Sequence, residues 1–223
     1  ELGINVEFIH QEKAYKKNEY YNEIKIALQK RKEIGEILAR FKTQGMKQED
    51  IENYYPFQIY CEKCKKDTTK ILDYDGEDIL TYSCECGYKA KADIFKKNIG
   101  KLRWKIDWAA RWKHYNVNFE PGGQDHATPG GSYDVAKTIA ERIYGIKAPL
   151  FEGYAFVGIK GAEKMSSSKG TGMAPEDLLK IYEPELLRWL FTRANPNNKI
   201  TLYFDSELIR QYDEFDREVE LYL

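Results

Sequence analysis

Four cysteines constrain this chain more than any other feature. Cys61, Cys64, Cys84 and Cys86 are its only cysteines, and they fall within 26 positions of a 223-residue sequence. A secreted protein of this size would spread its cysteines along the chain to staple it. Pairs at C-x2-C and C-x-C spacing instead let four thiolates on two tight turns converge on one tetrahedral ion. Lys65-Lys66-Asp67 follows the first pair and Gly87 the second, so both turns have suitable residues. Between them, residues 68–83 alternate well enough for two strands around Asp75-Gly76, a hairpin signal. Residues 57–90 therefore read as a small zinc ribbon, with the four cysteines holding a structural Zn2+ that does no chemistry. The alternative is reduced surface thiols or a redox pair. The spacing Cys84-Glu85-Cys86 is tighter than the usual second knuckle, but four thiolates are the ligand count a closed structural site wants.

Around the ribbon, apolar periodicity sets the expectations. Residues 5–9 read as a short strand. Tyr20, Ile24, Leu28, Ile34, Leu38 and Phe41 recur at helical spacing and predict one long helix over 17–42, ended by Gly45. Residues 46–55 read as a polar linker. Residues 89–113 hold nine Lys/Arg and two Asp. Trp104, Trp108 and Trp112 lie there at i, i+4 and i+8, on one side of a helix over 103–115. Such a stripe is core or, in this basic setting, a surface for a polyanion or a substrate. Residues 120–131 are too glycine-rich for an element interior. Ser132 reads as the cap of a helix with Asp134 in its first turn, Val135, Ile139 and Ile143 as its buried stripe, and Gly145 just past its end. A strand over 150–159 follows. Glycine-rich loop, helix and strand in succession make an α/β arrangement, in which ligands sit in loops at strand ends. Residues 160–173 form a second loop, expected to be mobile. Pro175 and Pro184 suit first helical positions, predicting helices over 175–183 and 184–194. Residues 205–223 carry seven acids and two arginines and read as a further helix.

Lys+Arg total 35 and Asp+Glu 36, a formal net charge of −1. That excludes a uniformly basic nucleic-acid binder and leaves a locally basic face open. No apolar run approaches the ~18 residues that span a membrane. Glu1-Leu2-Gly3-Ile4 has neither the charge nor the apolar run of a signal peptide, so a cytoplasmic protein without a membrane partner is expected. The missing initiator Met points to a processed chain or an excerpt of a longer one.

The segment Lys164-Met165-Ser166-Ser167-Ser168-Lys169-Gly170 sets two ammonium groups around three hydroxyls, with glycine on either side. Such a loop can bind phosphate oxygens and stabilise charge on a leaving pyrophosphate. Taken alone it could equally be a disordered surface loop or a phosphorylation site. It resembles the KMSKS signature of class I aminoacyl-tRNA synthetases, with a serine replacing a lysine of the signature and Lys169 following. Pro184-Glu185-x-x-Arg188 is also similar to that class. With the GGQDHATPGGS stretch, the CxxC…CxC insert and the GKLRWKIDWAARW segment, the whole chain resembles the class I lysyl-tRNA synthetase family of archaeal type.

That resemblance implies part of a Rossmann-type nucleotide-binding fold with an inserted helical and zinc-ribbon connective region. Residues 1–15 would end the first Rossmann half, 16–56 form the helical part of the insert, and 57–98 the ribbon. Residues 99–195 would be the second half with the KMSSSKG loop, and 196–223 the start of a helical stem-contact region. The reaction implied is activation of lysine by ATP, with Mg2+, to lysyl-adenylate, then transfer to tRNA(Lys), in a monomeric enzyme. Lys164 and Lys169 would be catalytic. Gly123, Asp125, Lys164, Met165, Ser166, Ser167, Ser168 and Lys169 would bind ATP, with adenine near residues 156–159. Trp104, His126 and Tyr154 would hold lysine, Trp108 being the weaker candidate. The class's His-Ile-Gly-His signature is missing, and the anticodon-binding domain is not included, so this piece alone is expected to be inactive. The competing readings are a non-catalytic zinc-ribbon module that binds nucleic acid and a synthetase-like paralog for another amino acid.

Overall fold

Helices and strands of this chain fall into two units, each with its own apolar cluster. The computed structural model describes residues 3–97, 99–161 and 173–222. The larger unit comprises residues 8–120 and 125–151; the smaller comprises residues 1–7, 121–124 and 152–223.

The larger unit begins with four helices: α1 (Gln11–Lys16), α2 (Tyr21–Gln29), α3 (Arg31–Arg40) and α4 (Gln48–Glu52). The single helix expected over 17–42 is therefore two, broken at Lys30 (φ −98°, ψ 21°). The apolar pattern explains the break. Leu28 and Ile34 are six positions apart, and at about 100° per residue that swings the second stripe some 240° from the first. Two helices let Ile24 and Leu28 in one, and Ile34 and Ile37 in the other, all reach the core. The linker expected over 46–55 contains α4, pinned by buried Ile51.

Strand β1 (Phe57–Ile59) pairs antiparallel with β5 (Gly100–Leu102), and the ribbon lies between them. It is a three-stranded antiparallel sheet in the order β2 (Thr69–Tyr74), β3 (Ile79–Cys84), β4 (Lys89–Asp93), followed by the single turn α5 (Ile94–Lys97). The expected Asp75-Gly76 turn is present. The Asp75 carboxylate accepts the N–H groups of Glu77 and Ile79 at 2.8 and 3.0 Å. Gly100 must be glycine: a Cβ there would lie 2.2 Å from the Phe57 ring.

Helix α6 (Trp104–His114) packs on α2 and on α7 (Ser132–Arg142). Tyr20, Leu28, Ile34, Ile106, Trp112 and Ile139 are fully buried between these helices. Ser132 is the first residue of α7 and not its cap. Gly131 takes the cap position in extended backbone, and the Asp134 carboxylate accepts the Gly130 N–H at 2.8 Å. A second two-stranded sheet joins β6 (Phe119–Gly123) and β7 (Leu150–Tyr154).

The smaller unit holds β8 (Val157–Ile159), α8 (Pro175–Leu178), α9 (Pro184–Arg193), β9 (Ile200–Leu202) and α10 (Ser206–Tyr222). The strand expected over 150–159 is split into β7 and β8, and between them Ala155 N–H turns to the Pro196 carbonyl at 2.7 Å. β8 pairs parallel with β9, the α/β hallmark expected here. Both prolines start helices as predicted, although α8 stops after one turn. Tyr182, Leu186, Leu187, Leu190 and Leu202 form the buried cluster of this unit. The strand expected over 5–9 is absent. Residues 4–10 are coil, and Ile4, Val6, Phe8 and Ile9 are exposed. A strand needs a ladder partner, and apolar alternation over five residues does not provide one.

Candidate functional site

The four cysteines meet. Cys61 and Cys64 come from the turn after β1; Cys84 ends β3 and Cys86 lies in the turn leading to β4. Each turn is tied by its own backbone: Lys65 N–H donates to the Cys61 carbonyl and Gly87 N–H to that of Cys84, at 2.8 and 2.9 Å. All four sulfurs lie within 4.8 Å of one another, with Cys61 Sγ 3.7 Å from Cys86 Sγ and Cys64 Sγ 3.6 Å from Cys84 Sγ. A tetrahedron of sulfurs about 2.3 Å from a central ion has edges of about 3.8 Å, and these are such edges. They are far too long for disulfides, and all four cysteines are free. The Cys86 backbone N–H, assisted by the Thr68 hydroxyl, pulls the Cys84 thiol down to about 6, while, against the pull of the Tyr88 backbone N–H, burial and the bonds from Cys84, Cys64 and Cys61 push the Cys86 thiol up to about 11; the case for a metal is the sulfur geometry. The donor set thus fits one soft divalent ion.

A second constellation lies on α6. Trp104 stacks on Trp108, with ring centroids 5.1 Å apart and planes 18° from parallel. His126, from the short 3-10 turn Gln124–Ala127, reaches both rings, at 6.2 Å from Trp104 and 5.6 Å from Trp108. The predicted partners Trp104 and His126 are thus brought together, and Trp108 with them. Trp108 and Trp112 are buried, whereas Trp104, at the first turn of the helix, is 47% exposed. The stripe is therefore core at one end and surface at the other. Beneath it lies a group that periodicity did not single out. Asp107 is buried, accepts the Tyr15 hydroxyl and pairs with Arg111. Burial raises its carboxyl above the usual aspartate range, while the Tyr15 hydroxyl and the Arg111 guanidinium oppose that shift. The available signal was an acid four residues before an arginine, on a helix face otherwise made of Trp, Ile and Ala.

All 223 residues match the family described as tRNA synthetases class I (K). The chain belongs to that family. It is 40% identical over 222 residues to the lysine--tRNA ligase of Borreliella burgdorferi, which covers 99% of this chain and 42% of that protein. The lysine--tRNA ligase of Pyrococcus horikoshii is likewise 40% identical, again over 99% of this chain and 42% of its own length. That of Methanocaldococcus jannaschii is 39% identical over the entire chain and 42% of its own length. The chain thus spans about 42% of the length of these relatives.

In this class I synthetase chain the remaining candidates are placed as follows. Gly123 closes β6, and exposed Asp125 sits in the turn that carries His126. Tyr154 ends β7 and is 49% exposed. Residues 157–159, within the stretch assigned to adenine, are strand β8. Lys164, Met165, Ser166, Ser167, Ser168 and Lys169 lie outside the described residues, as does most of the loop expected to be mobile. Among the described residues no helix is long and apolar enough to cross a membrane.

Proposed function

We propose that this chain is part of an enzyme that activates lysine with ATP and transfers it to tRNA(Lys). The observation that carries this reading is 39–40% identity, over almost the whole chain, to proteins named lysine--tRNA ligase. In the proposed reaction the lysine carboxylate attacks the α-phosphorus of ATP and pyrophosphate leaves with the bridging electrons. A ribose hydroxyl of the tRNA then takes the lysyl group and AMP leaves. No protein nucleophile is required; positioning and charge stabilisation carry the catalysis.

In this reading ATP enters with Mg2+. Gly123 lets the nucleotide approach the backbone, and Asp125 accepts its ribose hydroxyls. Met165, Ser166, Ser167 and Ser168 form the phosphate loop, Lys164 orders it, and Lys169 meets the charge that builds on the leaving pyrophosphate. Trp104, His126 and Tyr154 line the stem of the bound lysine, aromatic faces suiting a cationic ligand. Zn2+, held by Cys61, Cys64, Cys84 and Cys86, keeps the ribbon folded. Residues 16–98 serve as the connective insert and 196–223 as the start of the stem-contact region of a monomeric cytoplasmic enzyme.

ATP–pyrophosphate exchange by the full-length protein across the amino acids tests the reading. Exchange that depends on lysine is expected; none with lysine, or a preference for another amino acid, would reject it. Lys169→Ala should slow adenylate formation roughly 100- to 1000-fold, with little loss of ATP binding, as for the removal of one charge-stabilising donor.

A further inference from the structure

The four sulfurs have a chemistry beyond holding a metal. The two cysteine turns are built alike. Each takes a left-handed step directly after its second cysteine, Lys65 at φ 64° and Gly87 at φ 84°, and the N–H of that residue closes on the carbonyl of the first cysteine. Glycine takes that step freely and a lysine does not. The close sulfur pairs run between the turns: Cys61 with Cys86 at 3.7 Å and Cys64 with Cys84 at 3.6 Å.

The sulfurs are not equally open to solvent. Cys61 and Cys84 are 0% and 7% exposed, Cys64 is half-buried and Cys86 is exposed. Oxidation of a thiolate follows access as well as thiolate character, so a dissolved oxidant meets Cys86 first. The nearest buried sulfur behind it is that of Cys61, on the opposite turn.

Other contacts keep the turns opposed. The Glu62 N–H donates to the Tyr82 hydroxyl at 3.1 Å, which ties the first turn to β3. The Glu85 N–H donates to the Thr68 carbonyl at 3.1 Å, which ties the second turn to the segment entering β2. Behind them Ile71, Leu80, Tyr82 and Ile94 anchor the ribbon in the large apolar cluster. With the turns so held, each sulfur pair need only close to the disulfide length of about 2.05 Å.

We propose that the cluster is a redox site, in which hydrogen peroxide enters at Cys86 and the ribbon exchanges its metal for two cross-turn disulfides, Cys61–Cys86 and Cys64–Cys84. First the Cys86 thiolate attacks a peroxide oxygen. An S–O bond forms, the O–O bond breaks, and hydroxide leaves and takes a proton to become water. The sulfur gives up two electrons and the peroxide gains them. Next the Cys61 thiolate attacks the Cys86 sulfur. An S–S bond forms, the S–O bond breaks, and the second oxygen also leaves as water. Cys64 and Cys84 alone cannot fill a tetrahedral site, so the ion is lost to solvent without change of charge. A second peroxide then joins those two sulfurs by the same steps. The proposal rests on the zinc assignment and is independent of the synthetase reading.

The test treats the full-length zinc-loaded protein with hydrogen peroxide and follows zinc release with a colorimetric chelator, disulfides by peptide mass mapping, and the ribbon by hydrogen exchange. About two peroxides per chain should release the zinc and give the two cross-turn disulfides. Under limiting peroxide Cys61–Cys86 should be at least as abundant as Cys64–Cys84, since it forms first. Strands β2, β3 and β4 should stay protected in the oxidised protein, and dithiothreitol with added zinc should restore the metal. Cys86→His keeps a zinc ligand without a sulfur and should slow peroxide-driven release about tenfold or more, whereas Cys64→His should change it less than about threefold. If either histidine variant is purified without zinc, the limiting-peroxide experiment on the unaltered protein decides the point of entry. Disulfides within a turn, zinc retained under excess peroxide, sulfinic acid in place of disulfides, Cys64–Cys84 in excess under limiting peroxide, or loss of protection on oxidation would each overturn the proposal. Protein that carries no zinc as purified rejects the metal assignment, and its disulfide map still judges the pairing. Lysine-dependent pyrophosphate exchange judges the synthetase reading separately.

Discussion

The ribbon and the helices beside it belong to one unit of the chain and share one apolar cluster, but only the ribbon also gathers four sulfurs. Between α2, α3, α6 and α7 lie fully buried Tyr20, Leu28, Ile34, Trp112 and Ile139. The ribbon adds Ile71, Leu80, Tyr82, Ala92 and Ile94 to that same apolar cluster, and its turns bring four sulfurs together besides. Burial of apolar area stabilises the helices without any bound ligand. In the proposed reading the ribbon depends in addition on a metal ion that can be taken away. One unit would then contain a part held by burial alone and a part that needs a ligand as well.

The sharpest way to break this contrast is to remove the metal. Structural zinc contributes on the order of 10 kcal/mol in small domains. Chelation should therefore abolish hydrogen-exchange protection across β2, β3 and β4 while α6 and α7 stay protected. Loss of protection in both regions together would show that the contrast is false. Next in size is Trp112→Ala. Trp112 is 1% exposed, and its indole N–H donates to Glu120 at 2.7 Å. Truncation should cost about 3–5 kcal/mol in urea unfolding of the helices, with zinc content unchanged. Gly100→Ala probes the seam between the two parts. Its Cβ would enter the Phe57 ring, so it should cost about 1–3 kcal/mol and weaken the pairing of β1 with β5. Smallest is Lys65→Gly, expected to change stability by less than about 1 kcal/mol, because relief of left-handed backbone offsets the added freedom of the unfolded chain. A larger loss would give that lysine a structural role.

The ribbon was largely legible in the sequence because its determinants are local. Cysteine spacing, Asp75-Gly76 and Gly87 each act within a few residues. The helical region was legible as helix but not in its breaks. The turn at Lys30 has no glycine or proline to announce it, and it follows from which faces must reach α6 and α7. Serine is a good cap, which makes Ser132 the expected one, yet Asp134 satisfies the entering backbone and leaves Gly131 in the cap position. The strand expected over 5–9 does not form because pairing is a property of two segments, whereas apolar alternation is a property of one. In the candidate site, helical spacing brings the tryptophans together, but only the packing of Tyr133 and Phe151 on Trp108 separates that buried ring from half-exposed Trp104. Asp107 escaped notice because an acid next to an arginine usually marks a solvated face; here both lie beneath the tryptophans, with Tyr15 from α1 closing the group.

The pairing of β1 with β5 has a consequence for how such a chain can change over time. Phe57 sits opposite Leu102 and Ile59 opposite Gly100, so the chain leaves the helices and returns to them at neighbouring points about 5 Å apart. Everything between, residues 60–99, is an excursion closed at its neck. A detour of that kind can lengthen, shorten or be exchanged for another without moving its two anchor points. The seam will tolerate little, since Gly100 has no room for a methyl group. Variation in length is therefore expected inside the excursion, and constancy at its neck.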